Sequence, residues 1–294
     1  MGKSGWEKHK SERVERNKER SAFVHNDVLT NVQIDAHSNI NSRVKTALKW
    51  SQNWELLKKI EGCRVGGLCG SLYCKRCRKR AVDNFEARLS EHCHKHFGGN
   101  NDLALSRLRY VTVLCELTSI NFPAVKGAVD QSRKNLNAFK RRFSDIWLQG
   151  TFEFELVSFE LSNARKKKTL LQMDSNGENV QVLVHFHALM DIKEYEEIQV
   201  KKWLSKRWKG DYRVRVQMTF ADQSIDEKCY KLASYGFKDR VRFNPTFDAK
   251  DYEDGRRFKH GELADLVEIY DGGSKRGCSS LLIGIGSSQN TVSS

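Results

Sequence analysis

The segment "VLVHFHALMD", Val182 to Asp191, limits the fold more than any other stretch. Its apolar content predicts a strongly apolar strand with two histidines at its centre. Side chains alternate along a strand, so Leu183, His185, His187 and Leu189 share one face. Val182, Val184, Phe186, Ala188 and Met190 share the other. Burying two imidazoles in such a strand is costly unless each finds a partner. On a strand their Cα atoms stand roughly 7 Å apart, a span that can clamp one divalent ion. Neutral imidazole is a good ligand for transition metals.

A third ligand is expected from a neighbouring strand. In "GTFEFELVSFELSN", Phe152, Phe154, Leu156, Ser158 and Glu160 have the same parity. Glu160 continues that face, and a carboxylate there calls for a cation. Glu153, Glu155 and Asp191 remain open as substitutes.

Around these strands the sequence alternates between periods. "SRVKTALKWSQNWELLKKI" predicts one helix over Ser42–Ile60, and "AVDNFEARLSEHCHKHF" predicts another. "LRYVTVLCELT" reads as a strand, and "FPAVKGAVDQSRKNLNAFKRRFSDIW" as a long helix entered by a proline. "ARKKKTLLQMDSNGEN" reads as a polar hairpin leading into the histidine strand, and "KEYEEIQVKKWLSKRWKG" as a helix. "DYRVRVQMTF" places Tyr212, Val214, Val216, Met218 and Phe220 on a buried face, and Arg213, Arg215, Gln217 and Thr219 on a basic one. Strands with helices crossing between them predict an α+β fold on a mostly antiparallel sheet with flanking helices.

The helix after that strand opens with a capping box, Ser224 and Glu227. Ile225, Cys229, Leu232 and Gly236 form its apolar stripe, with Tyr235 to one side and Tyr230 to the other. Lys231 and Lys238 fall on the face of Tyr235. A phenol has a pKa of about 10 and is a weak nucleophile near neutrality. Adjacent cations favour the phenolate and can hold a phosphate. Tyr235 is therefore the candidate nucleophile, and Tyr230 the packing residue.

Cys63, Cys69, Cys74 and Cys77, spaced C-x5-C-x4-C-x2-C among glycines, predict a tetrahedral zinc site. His92, Cys93, His94 and His96 follow nearby and could replace one of them. Cys115 and Cys229 read as core residues. Lys and Arg number 51 against 37 Asp and Glu, a net charge of +14 that predicts a polyanionic partner, nucleic acid first. Arg78 and Arg80, beside the cysteines, and Arg213 and Arg215, on the basic strand face, are the expected phosphate contacts. No apolar run approaches the ~20 residues of a membrane span. The charged N-terminus lacks the apolar core of a secretory signal, so the expected location is the cytoplasm, with reduced thiols and no membrane partner.

Taken in order, these motifs resemble the rolling-circle replication initiators of the plasmid Rep type, in the HUH endonuclease superfamily. "YVTVLCELT" resembles the family's first strand motif, "HFHALM" its His-hydrophobic-His motif, and "YGFKD" its Tyr followed three residues later by Lys. "GTFEFELVSFELSN" is similar to the family's strand that starts at Gly, carries a Glu and ends in Asn. Cys74-Lys-Arg-Cys77-Arg-Lys-Arg80 resembles its Cys-rich lead-in. The likeness spans roughly residues 63–266. Two positions depart from it. Val184 stands where relatives often have Pro, and Lys231 where some carry a Glu that activates water in termination.

The resemblance implies a DNA-nicking endonuclease and strand transferase. Mn²⁺ or Mg²⁺ at the histidines would polarise the phosphate of single-stranded origin DNA, and the tyrosine would form a 5′-phosphotyrosine link. Lys231 and Lys238 would stabilise developing charge. Host helicase and polymerase would be partners. With composition, which reads a basic, polar N-terminal arm with a helix over 1–60 and a Gly/Ser-rich disordered tail over 270–294, the expected layout adds a zinc segment over 61–98 and the HUH catalytic domain over 99–269. A single-strand HUH transposase shares the same catalytic residues. A non-catalytic zinc-containing nucleic-acid-binding protein would keep the charge and cysteines while using the histidines and Tyr235 only structurally.

Overall fold

A computed structural model describes residues 38–174, 176–219, 223–238, 240–243, 256–272 and 282–283. The N-terminal arm up to residue 37, and most of the segment read as a tail, lie outside the described residues.

Two short helices come first, α1 (Ser42–Trp50) and α2 (Trp54–Glu61). The single helix expected here is broken because Gln52 adopts a left-handed φ of 57° and Asn53 caps a new helix through the Leu56 amide. The long α3 (Lys75–Phe97) starts inside the cysteine segment and ends at Gly98, whose φ is 60°. The short α4 (Asn101–Arg107), not foreseen in the sequence, leads into β1 (Leu108–Thr118). Next come α5 (Phe122–Arg142), entered by its proline, and β2 (Trp147–Ser158).

The "polar hairpin" is instead helix α6 (Ala164–Leu171). Asn163 caps it through the Lys166 amide, and Lys166, Thr169 and Leu170 are buried. Its lysines hide the helical period, because one of them faces inward to meet a carboxylate. Then follow β3 (Val180–Asp191), α7 (Glu197–Arg207), β4 (Val214–Met218) and α8 (Ile225–Gly236). The capping box of α8 forms as the sequence predicts. Helix α9 (His260–Gly272) and the two-residue β5 (Leu282–Ile283) complete the described elements. Strand β5 falls in the segment read as a disordered tail, and its residues pair with Gly150 and Thr151.

The strands form one sheet in the order β4-β1-β3-β2-β5, and every paired neighbour is antiparallel. The α+β reading with a mostly antiparallel sheet and flanking helices is what the structure shows. The histidine strand is central, flanked by the two longest partners. A strand placed there is buried on both faces.

The sheet's two faces differ in chemistry. One carries Val113, Phe152, Phe154, Val184, Phe186, Ala188 and Met190, covered by α5, whose Arg133 lies over the Phe152 ring. The other carries Thr112, Thr151, Glu153, Glu155, His185 and His187. Helix α8 lies against this second face, and α6 meets it further along, where Leu170 joins Leu114, Leu117, Val157 and Leu183 in a small apolar cluster. Strand β4 is shorter than expected. Val214 and Val216 are buried, but Met218 is 65% exposed and Tyr212 lies outside the strand at φ 62°. The cause is its edge position: β4 pairs with β1 only over Arg109–Val113, so its ends run past the core. Among the described residues no helix is long and apolar enough to cross a membrane.

Candidate functional site

The ladder between β2 and β3 decides which carboxylates meet the histidines. Thr151 stands opposite His187 and Glu153 opposite His185. Directly opposed residues share a face. The odd-numbered residues of β2 therefore point at the imidazoles, and Phe152, Phe154 and Leu156 point into the core. This overturns Glu160 as the third ligand. Strand β2 ends at Ser158, and Glu160 is exposed in the following turn, its amide donating to Asn179 Oδ1 at 3.2 Å. Its parity matches the phenylalanines, which is the wrong face. Asp191 is also committed elsewhere, to Arg107 through two hydrogen bonds of 2.9 and 2.6 Å and to His96 at 2.7 Å.

Glu153, His185 and His187 bring one ligand atom each to within 4.8 Å of the others. His187 Nε2 lies 3.0 Å from Glu153 Oε2, and its Nδ1 lies 3.2 Å from Thr112 Oγ1. His185 Nε2 lies 3.1 Å from Glu155 Oε2, so each imidazole has one carboxylate beside its Nε2. The donor set of two imidazoles and a carboxylate suits a divalent ion.

Four charged groups share this space. Arg240 reaches Glu153 Oε1 through Nε and Nη2, both at 2.8 Å, and Glu155 Oε1 through Nη1 at 3.1 Å. Lys166 from α6 donates to the same Glu155 oxygen at 3.2 Å. Burial alone would push both carboxyls up, but Arg240 and the histidines hold Glu153 at about 2. Arg240 and Lys166 keep Glu155 well below the usual carboxylate range. Burial lowers His187, despite the opposing pull of Glu153, which keeps the ring neutral and able to ligate.

Tyr235 completes the site. Its ring meets His187 edge-on, with centroids 5.0 Å apart. Lys238 Nζ lies over the Tyr235 ring at 3.9 Å from its centroid, whereas Lys231 lies over Tyr110 at 5.7 Å. Lys231 thus stands on the cavity wall, and Lys238 stands over the tyrosine. Burial and the nearby Glu153 raise the phenol, and a hydrogen bond from Arg240 opposes them. Gly236 explains the close approach. A Cβ there would stand 2.1 Å from Thr151 Cγ2, so only glycine lets α8 reach β2 beside His187. Tyr230 is half-buried against the main core, on the other side of the helix. A cavity of about 230 Å³ opens onto His185, His187 and Tyr235, with Tyr110, Tyr212 and Arg215 also on its wall.

The expected phosphate contacts divide. Arg215 is half-buried on the cavity wall, and Arg80 is exposed. Arg213 is engaged within the fold. Its guanidinium donates to the carbonyls of Leu114 at 3.0 Å, Lys209 at 2.9 Å and Cys115, closing the bulge between Leu114 and Glu116 in β1. Arg78 is buried at 7% exposure and does not reach the surface. The alternation of "DYRVRV" could not reveal that a bulge would claim its first arginine.

The four cysteines converge. Sγ of Cys77 lies 3.5 Å from that of Cys63 and 3.6 Å from that of Cys69, and all four sulfurs lie within 4.8 Å of one another. Four thiolates about 2.3 Å from one zinc stand roughly 3.8 Å apart in a tetrahedron, so the cluster has the size of a zinc site. Hydrogen bonds from Cys69, Cys74 and the Gly70 amide pull Cys77 down, while their bonds to Cys77 and burial push Cys69 and Cys74 up, so the four thiols share their protons as one group. His92, His94 and His96 are not in the set; His94 pairs with Asp226 and His96 with Asp191. Cys115 and Cys229 are buried in the core.

Fold and site thus define an antiparallel α+β protein with a Glu–His–His group able to hold a metal, a tyrosine against it, and a separate four-cysteine group able to hold zinc. Compared with models of known families, with curated proteins and with solved structures, the chain finds no match.

Proposed function

We propose that the protein is a metal-dependent DNA-nicking and strand-transfer enzyme of the rolling-circle initiator type, with Tyr235 as nucleophile. The observation that carries this reading is the contact of the Tyr235 ring with His187, one of two histidines that share a ligand-sized space with Glu153. Three motifs far apart in sequence meet at one cavity wall, which supports this reading.

Glu153, His185 and His187 would hold Mn²⁺ or Mg²⁺, which when bound supplies Lewis-acid polarisation of a phosphate. The chain's own residues do the rest. Lys238, Lys231 and Arg215 draw the DNA backbone to the cavity. The Tyr235 oxygen forms a bond to phosphorus, and the bond from phosphorus to the 3′ oxygen breaks. The phenol gives up a proton and the 3′ oxygen gains one. One phosphodiester is exchanged for another, so the 5′-phosphotyrosine retains the energy for religation by the reverse step. The free 3′-OH can prime a polymerase. The net charge of +14 suits a single-stranded DNA substrate, and the four cysteines would carry a structural zinc.

The test is incubation with single-stranded DNA and Mn²⁺, followed by recovery of covalent protein–DNA product. His185→Ala and His187→Ala should both lose the product while melting as folded proteins. Unchanged cleavage in either variant would remove the metal assignment.

A further inference from the structure

Arg240 is the most heavily used side chain of the site, and no motif points to it. It is 4% exposed and stands five residues beyond Tyr235, after the end of α8. Its guanidinium fixes both carboxylates and also hydrogen-bonds the tyrosine. Two buried carboxylates side by side repel one another, and a planar fork between them sets their separation as well as their charge. What holds Arg240 is equally specific. The Tyr73 hydroxyl, in the cysteine segment between Cys69 and Cys74, donates to the Arg240 carbonyl at 3.2 Å.

A second link runs from the same tyrosine. The Tyr73 ring packs edge-on against Tyr270, with centroids 5.7 Å apart. The Tyr270 hydroxyl accepts from the Phe154 amide at 2.9 Å and donates to the Phe154 carbonyl at 3.1 Å. Phe154 is the residue between Glu153 and Glu155. Tyr73 therefore touches both supports of the carboxylate pair: the arginine that separates them and the tyrosine that grips the strand between them. The cysteines around Tyr73 are the residues able to close on zinc.

We propose that Arg240 is a positioning residue for Glu153, Glu155 and Tyr235, and that the four-cysteine loop controls the site by holding Arg240 through Tyr73. The loop is then a geometric regulator of the metal centre. The role assigned to Tyr235 rests on the strand-transfer reading; the control of the metal centre does not.

The experiment uses Tyr73→Phe in the full chain, which removes one hydroxyl and leaves the ring. Arg240→Ala would strand two buried carboxylates and can fail to fold, so Tyr73→Phe is the primary variant and Arg240→Lys the second. Zinc content, thermal melting, Mn²⁺ affinity by electron paramagnetic resonance, and covalent product formation on single-stranded DNA are measured together. Tyr73→Phe should keep its zinc and its fold, bind Mn²⁺ severalfold more weakly, and form product about tenfold more slowly at saturating DNA with KM unchanged. Arg240→Lys keeps the charge without the fork and should show a larger loss of the same kind. Wild-type Mn²⁺ affinity in Tyr73→Phe would overturn the proposal, as would a loss of affinity that appears only together with loss of zinc. If no DNA forms a product with the wild type, the strand-transfer reading fails, and the Mn²⁺ affinities alone still decide whether Tyr73 sets the metal centre.

Discussion

Glu153 carries two opposing demands at the scale of single residues. It is buried, yet Arg240 and the histidines keep it ionised, down to about 2 from an ordinary 4.5. Its folded value lies below its unfolded one, so the stability it contributes is complete above about 4.5. That contribution is lost as the pH falls toward about 2. Unfolding in urea, followed from pH 7 to pH 2 without divalent ions, should show wild type losing stability more steeply below pH 4.5 than Glu153→Gln does. Parallel curves would contradict the ion pair. Glu153→Gln should also weaken Mn²⁺ binding by tenfold or more, whereas Glu160→Ala should leave it unchanged. The histidine pair was legible in the sequence because two imidazoles in an apolar strand need an explanation. The third ligand was not. Parity within β2 is visible, but which parity faces His185 depends on the register between two strands, and a one-residue slip exchanges the faces. Arg240 gave no signal, since its role exists only after α8 has brought it back over the sheet.

Elements that alternate or carry caps were readable: β1, β3, α5 and the capping box of α8 follow from local sequence. Elements whose stability comes from elsewhere were not. Helix α6 looks polar because its buried lysine answers Glu155, and the break between α1 and α2 turns on one left-handed glutamine. Helix α8 lies where it does because of Gly236. Gly236→Ala would force its Cβ against Thr151, costing roughly 1–3 kcal/mol and displacing Tyr235 from His187. An approximately 1 Å displacement can cost about a hundredfold in rate. Thr151→Ser removes the opposing methyl, so the double variant should recover most of the loss in both melting and cleavage. No recovery would show that the glycine matters for another reason. Helix α3 packs along α8, with Phe85 edge-on to Phe237 at 5.6 Å and His94 paired with Asp226. Helix α3 starts inside the cysteine segment, at Lys75, so zinc removal by a chelator should loosen α8 as well as the loop. Hydrogen exchange should report this in both helices, and elemental analysis should find about one zinc per chain beforehand.

At the scale of the whole molecule, the sheet separates two tasks. One face is an apolar core under α5, and the other gathers Glu153, Glu155, His185 and His187 beneath α6 and α8. On the proposed function, the basic excess would bring DNA to a site already assembled. Binding and cleavage should then separate on mutation, because phosphate contacts would be spread over many lysines and arginines while bond exchange would fall to one hydroxyl. Peptide mapping of the covalent product formed with single-stranded DNA and Mn²⁺ tests this most directly. The DNA should be found on Tyr235, and Tyr235→Phe should still bind DNA while giving no product. DNA attached to Tyr230, or a covalent product surviving in Tyr235→Phe, would contradict the account.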